Sequence, residues 1–167
     1  MKHYSKRIKS PVGELTLIAN ANALVAILWE NDKPNRVRIA DVESKPNHPI
    51  LEKTAKQLSQ YFSGKRTQFE IDFEFYGTEF QKKVWRALTE IPYGETQTYL
   101  QIAKKIRSPK SCRAVGAANG KNPISLMVPC HRVIGSNGNL TGFAGGLKAK
   151  KYLLDLEKEL TSVTTAS

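Results

Sequence analysis

Cysteine is scarce in this chain: 167 residues contain two, Cys112 and Cys130. Neither sits in a CxxC pair or a Cys/His cluster, so the ligand spacing of a structural zinc site is missing. Long apolar runs are missing too. No stretch approaches the ~18 residues of a membrane span. The Lys-rich start leads to no uninterrupted apolar segment of the secretory type. These absences predict a soluble protein with reduced thiols, no membrane association, no metal and no cofactor. Its expected place is the cytoplasm of a bacterium or archaeon, or the nucleus of a eukaryote.

Acidic residues are scarce in one region. Residues 81–153 hold thirteen Lys or Arg against two acids, Glu90 and Glu95, while the rest of the chain has thirteen of each sign. The whole net charge of +11 therefore arises in that segment. A surplus so confined predicts a polyanionic partner, with nucleic acid the leading candidate.

Within the basic segment lies Val128-Pro129-Cys130-His131-Arg132-Val133, where a thiol adjoins an imidazole and a guanidinium. A free thiol has a pKa of about 8.5, so a nucleophilic cysteine needs a base or a positive neighbour. Pro129 disfavours helix at Val128, which predicts that Cys130 ends an extended segment at a site edge. Cys112 has no adjacent base and is expected to be structural.

Two units are predicted, 1–76 and 77–160, followed by a disordered tail over 161–167. In the first, residues 14–19 and 24–29 read as a hairpin closed through Asn20-Ala21-Asn22. Residues 49–62 have helical spacing, and the alternation of Phe69, Ile71, Phe73 and Phe75 predicts a half-buried strand. This unit shows no cluster of chemical groups and reads as scaffold. In the second, Thr78 and Gln81 form a capping box, and Thr96 or Thr98 opens the next helix. Ser111 opens a small-residue-rich helix with Arg113 near its start, a pattern that fits a helix-turn-helix. A glycine-rich loop, 135–146, surrounds Phe143 as a flexible pocket wall, and an amphipathic helix follows over about 147–159.

Pro129-Cys130-His131-Arg132-Val133 resembles the signature of the 6-O-alkylguanine-DNA alkyltransferases. The likeness runs from about Gly77 to Glu157 through Gly94-Glu95, Tyr99, Arg113-Ala114-Val115-Gly116, Asn122-Pro123 and Gly145-Gly146-Leu147. Ser10-Pro11-Val12-Gly13 extends it loosely into the first unit. The resemblance implies an α/β N-terminal domain, with a small antiparallel sheet and a helix of ribonuclease-H-like type. It implies a mostly helical C-terminal domain with a winged helix-turn-helix.

The activity implied is irreversible, single-turnover transfer of an alkyl group from 6-O-alkylguanine in double-stranded DNA to Cys130, by a monomer. By resemblance, His131 takes the thiol proton through a water, Glu157 orients the imidazole, and Asn122 stabilises the active-site turn. Tyr99 would hydrogen-bond the purine and protonate the leaving guanine. Arg113 would fill the gap left by the flipped nucleotide in a minor-groove complex, with Ser111, Ala114 and Arg132 also on the DNA. Cys130, Val133 and Ala144 would meet the guanine edge, and Phe143 would line the pocket. Phe143 stands where many members have Tyr, and Ser125 where some have Pro. Two other readings are a lesion-binding module without chemistry and a cysteine hydrolase. The first needs no activated thiol, and the second leaves the charge unexplained.

Overall fold

Two largely apolar strands, flanked by a more polar one, build the core of the first sheet. Strands β1 (His3–Ile8), β2 (Leu15–Ala19) and β3 (Leu24–Trp29) pair antiparallel in chain order, with Leu17 opposite Lys6 and Ile27. The β2–β3 hairpin closes where the Asn20 side-chain oxygen accepts from the backbone N–H groups of Asn22 and Ala23. A fourth strand, β4 (Val42–Ser44), runs parallel to β1 and gives the order β3-β2-β1-β4. The sheet is therefore mixed, where an antiparallel one was expected. The polar connection 30–41 carries the chain back across the sheet, so β4 starts at the same end as β1.

The structure, a computed structural model, describes residues 1–138, 140 and 142–166, with side chains through residue 160. Helix α1 (Pro49–Phe62) is capped by the His48 ring and turns Leu51, Leu58 and Tyr61 inward. The strand expected over 69–75 is reduced to one bridge, Phe73 with Leu24. Gln57 of α1 accepts from Glu70 N–H at 2.8 Å and donates to Glu70 O at 3.4 Å. A helix side chain thus satisfies backbone groups that a neighbouring strand would otherwise bind.

Beyond Gly77, α2 (Glu79–Leu88) starts with the Thr78–Gln81 capping box. A second such box, Thr98 with Gln101, opens α3 (Tyr99–Lys105). Helix α4 (Cys112–Gly120) completes the helix-turn-helix after a tight turn in which Arg107 takes a positive φ of 61°. Ser111 holds the N-cap position of α4, but its hydroxyl pairs with Ser108 Oγ at 2.6 Å instead of capping. Strands β5 (Gln97–Thr98) and β6 (Val133–Ile134) form a short parallel ladder beside α3. The last helix, α5 (Leu147–Ala166), is longer than expected, and the predicted tail continues it to Ala166. No Gly or Pro follows Leu147 to stop it. Asn139 and Thr141 of the glycine-rich loop, and Ser167, lie outside the described residues. No described helix is long and apolar enough to cross a membrane.

One buried apolar cluster runs through both units, from Leu17, Ile27 and Leu58 to Trp85, Ile102, Val115, Val128 and Leu153. The backbone joins them as well. Ile27 N–H of β3 donates to Pro123 O at 2.8 Å, and Ile27 bridges Ile124 in parallel register. The edge of the first sheet therefore holds the segment that leads to Cys130.

Candidate active site

The segment 122–129 between α4 and Cys130 is a turn braced from within. Asn122 is fully buried; its Nδ2 donates to Val128 O at 2.8 Å and its Oδ1 accepts from Ile124 N–H at 3.1 Å. Leu126 takes a φ of 76°, uncommon for a bulky residue, inside this brace. Two residues of the first unit clamp the turn from outside. Arg36 donates to Asn122 O at 2.8 Å and to Gly120 O at 3.2 Å, while Asp32 fixes its guanidinium through Nε at 2.6 Å and Nη2 at 2.7 Å. Trp29 Nε1 donates to Ser125 Oγ at 3.1 Å.

Cys130 opens a 3-10 turn, Cys130–Arg132, and is only 2% exposed. The expected extended segment at a site edge is thus corrected: the thiol lies inside. After Pro129 the chain tightens into the turn, with Arg132 N–H bonded to Pro129 O at 3.0 Å. Burial pushes the thiol pKa up, against the opposing pull of Asn122 and Ser125 hydrogen bonds and of the Arg36 and Lys150 charges. The resting sulfur is therefore a thiol and needs a base before it can attack.

An imidazole is the next residue. His131 is fully buried and its Nε2 meets Glu157 Oε2 at 2.6 Å. Burial lowers the imidazole pKa despite the Glu157 partner, so His131 rests neutral and can accept a proton. Its Nδ1 is buried without a hydrogen-bond partner among the described residues. Burial alone would raise Glu157, but the hydrogen bonds from His131 and Arg132 and the Arg132 charge outweigh it and hold the carboxyl at about 2. The Tyr61 hydroxyl also donates to Oε2, and Gly94 N–H reaches Oε1 at 3.3 Å.

Arg132 was expected on the DNA and is corrected. It is buried, with Nε 2.7 Å from Glu157 Oε1, Nη2 3.1 Å from Oε2 and Nη1 2.7 Å from Ile91 O. A bidentate carboxylate pair and a carbonyl engage all three nitrogens of the fork, so the guanidinium is turned inward and its charge is taken up by Glu157 and not by a phosphate. The positive groups near the sulfur are Arg36 and Lys150, neither singled out from the sequence. Lys150 is fully buried and donates to Val133 O at 2.6 Å. Its signal was legible: Lys150, Leu153 and Glu157 fall on one buried face of α5, where two charges at core positions of an amphipathic helix mark a site.

The remaining predicted residues divide between the interior and the surface. Val133 is buried, and Phe143 and Ala144 are half-buried. Phe143 lies edge-on to Trp29 at 5.3 Å. Tyr99 is half-buried at the start of α3, and a Cβ on Gly116 of α4 would lie 3.7 Å from its ring. Arg113 and Ala114 are exposed on α4, with Ser111 half-buried before them. The other basic residues of 81–153 are at least partly solvent-accessible, apart from Arg132 and Lys150.

Residues 3–75 match the family model described as 6-O-methylguanine DNA methyltransferase, ribonuclease-like domain, and residues 79–159 match the DNA binding domain of the same family. A relative from Methanosarcina mazei, named methylated-DNA–protein-cysteine methyltransferase, is 46% identical over 155 residues, 93% of this chain and 97% of its own. A Mycobacterium tuberculosis protein of that name is 44% identical over 160 residues, covering 95% and 93%. The solved structure of Mycobacterium tuberculosis OGT in complex with DNA superposes with a TM-score of 0.86 at 41% identity, covering 96% of this chain and 94% of that one. Over nearly its whole length, the chain belongs to the 6-O-methylguanine DNA methyltransferase family.

Proposed function

We propose that the protein repairs DNA by moving the methyl group of 6-O-methylguanine onto Cys130, once per molecule, as a cytoplasmic monomer. The observation that carries this reading is the buried sequence Cys130, His131, Glu157, an activatable thiol with an oriented base. His131 Nδ1 is the nitrogen left for the thiol proton, taken through a water. As the proton leaves, Glu157 stabilises the imidazolium that forms. Cys130 Sγ bonds to the methyl carbon, and the bond from that carbon to the guanine oxygen breaks. The electron pair passes to the purine, which takes a proton from the Tyr99 hydroxyl. The thioether has no easy return path, so the protein is consumed.

The methylated oxygen lies in the base-paired interior of the duplex, so the nucleotide must leave the stack at a cost of a few kcal/mol. Arg113, exposed near the start of α4, would fill the void, with Ser111, Ala114 and Tyr99 also meeting the DNA. Minor-groove docking, where sequence is poorly read, suits a protein that meets damage in any context. Asn122 acts by holding the turn, and Val133, Phe143 and Ala144 form the guanine pocket. A module that only binds lesions would have no use for the His131–Glu157 pair.

The test is incubation with a duplex carrying labelled 6-O-methylguanine. One equivalent of label should appear on Cys130. Cys130→Ala should take none while still binding the lesion. Label on Cys112, or turnover beyond one equivalent, would overturn the assignment.

A further inference from the structure

We propose that Tyr61, from the unit read as scaffold, is a positioning residue of the transfer: through Glu157 it sets how readily His131 takes the Cys130 proton. Tyr61 ends α1, fully buried among the rings of Phe62, Phe69 and Tyr93. Its hydroxyl donates to Glu157 Oε2, the oxygen that also holds His131 Nε2 at 2.6 Å. Oε1 is served separately by Arg132 Nε and Gly94 N–H. Tyr61 and His131 therefore share one acceptor.

That sharing has a direction. A donor on Oε2 draws charge from the oxygen that must stabilise the imidazolium. With Tyr61 present, His131 gains less from holding a proton and stays neutral, free to accept one, to lower pH. The other ionisable groups facing His131 are Lys150 from α5 and Arg132 beside it, with Tyr93 behind Arg132. Both cations oppose a proton on the imidazole. Tyr61 adds to their effect through the shared oxygen Oε2, and from the other unit of the molecule.

The inference rests on the transfer reaction proposed above, and Tyr61→Phe tests it. The substitution keeps the ring and its packing, and Oε2 keeps the His131 and Arg132 donors. Single-turnover methyl transfer is followed from about pH 5 to about pH 9, spanning the imidazole range. The acid limb should move upward by roughly one unit, the size expected for losing a hydrogen bond to a charged group. The midpoint for His131 ring protons by NMR should move with it. Phe69→Leu, which loosens the same packing, should lower thermal stability and leave the limb in place. An unmoved limb with a uniformly slower Tyr61→Phe overturns the proposal, as does an equal shift in Phe69→Leu. If native protein transfers no methyl at any pH, the functional reading fails instead, and the NMR titration still decides Tyr61.

Discussion

Trp29 and Gly145 lie in face contact: a Cβ on Gly145 would sit 2.6 Å from the indole ring. The same indole meets Phe143 edge-on at 5.3 Å and donates to Ser125 Oγ at 3.1 Å. One side chain of β3 thus braces the loop behind Phe143 and the turn before Cys130. The glycine is required here by lack of space, not by an unusual φ.

Gly145→Ala should therefore destabilise the protein by about 1–3 kcal/mol, the usual range for overpacking a buried contact. Transfer should slow as the loop carries Phe143 away. Trp29→Leu in the same molecule makes room, so the double variant should lose less than the sum of the two single losses. Denaturant unfolding of the four proteins checks this. Strict additivity would mean that the indole contact is not the cause.

His131 and Glu157 should behave as one unit in the single-turnover rate, because the carboxylate acts through the imidazole it orients. His131→Ala should slow transfer strongly, and adding Glu157→Ala should change little more. Fully multiplicative losses would place Glu157 outside the reaction.

Acid should unfold the protein in two stages. Burial holds His131 below its ordinary 6.5, so the unfolded chain takes that proton first and stability declines as the pH falls through about 6.5. Glu157, held at about 2 against an ordinary 4.5, contributes stability above 4.5 that is lost as the pH falls towards 2. Thermal melting across this range should show both declines. In Glu157→Gln the lower one should flatten, and a curve parallel to the native protein down to pH 2 would refute the pairing.

Arg113 and Arg132 should separate cleanly. Arg132→Ala leaves the Glu157 carboxylate buried with its bidentate partner gone, a loss of roughly 3–5 kcal/mol in stability. The slope of DNA affinity against salt should stay unchanged. Arg113→Ala should leave melting unchanged and slow transfer, with the defect shrinking on single-stranded substrate where less stacking must be broken. Arg113→Lys should fail partly, since a point charge cannot replace a planar group that fills space. Equal Arg113 defects on paired and unpaired substrates would exclude a flipping role.

What the sequence reveals here is local. The capping boxes at Thr78 and Thr98, the Asn20 turn, the helix-turn-helix and the Cys130-His131 neighbours all depend on residues a few positions apart. What it conceals depends on distant approach. Arg132 is next but one to Cys130 in the chain, yet the 3-10 turn sends it to Glu157, 25 residues away. Tyr61, Arg36 and Trp29 carry no motif and become part of the site only when α1, the connection 30–41 and β3 pack on the second unit. The alternation over 69–75 is real, but Gln57 takes the backbone bonds of Glu70, and pairing with β3 is confined to Leu24 with Asp72 and Glu74.

The seating of Pro123 on β3 has a colloidal consequence. This strand, Leu-Val-Ala-Ile-Leu-Trp, is wholly apolar and lies at the end of its sheet. An uncovered edge of that composition is a template on which other chains can add. Asp72 and Glu74 occupy it near Leu24, and Pro123 and Ile124 occupy it at Ile27. The stretch that aims the cysteine is also the sheet's protective selvedge. A change that lifts residues 122–124 would shift the segment leading to Cys130 and bare an adhesive edge in one step, so the seat of the thiol and the cover of the sheet are yoked in this molecule.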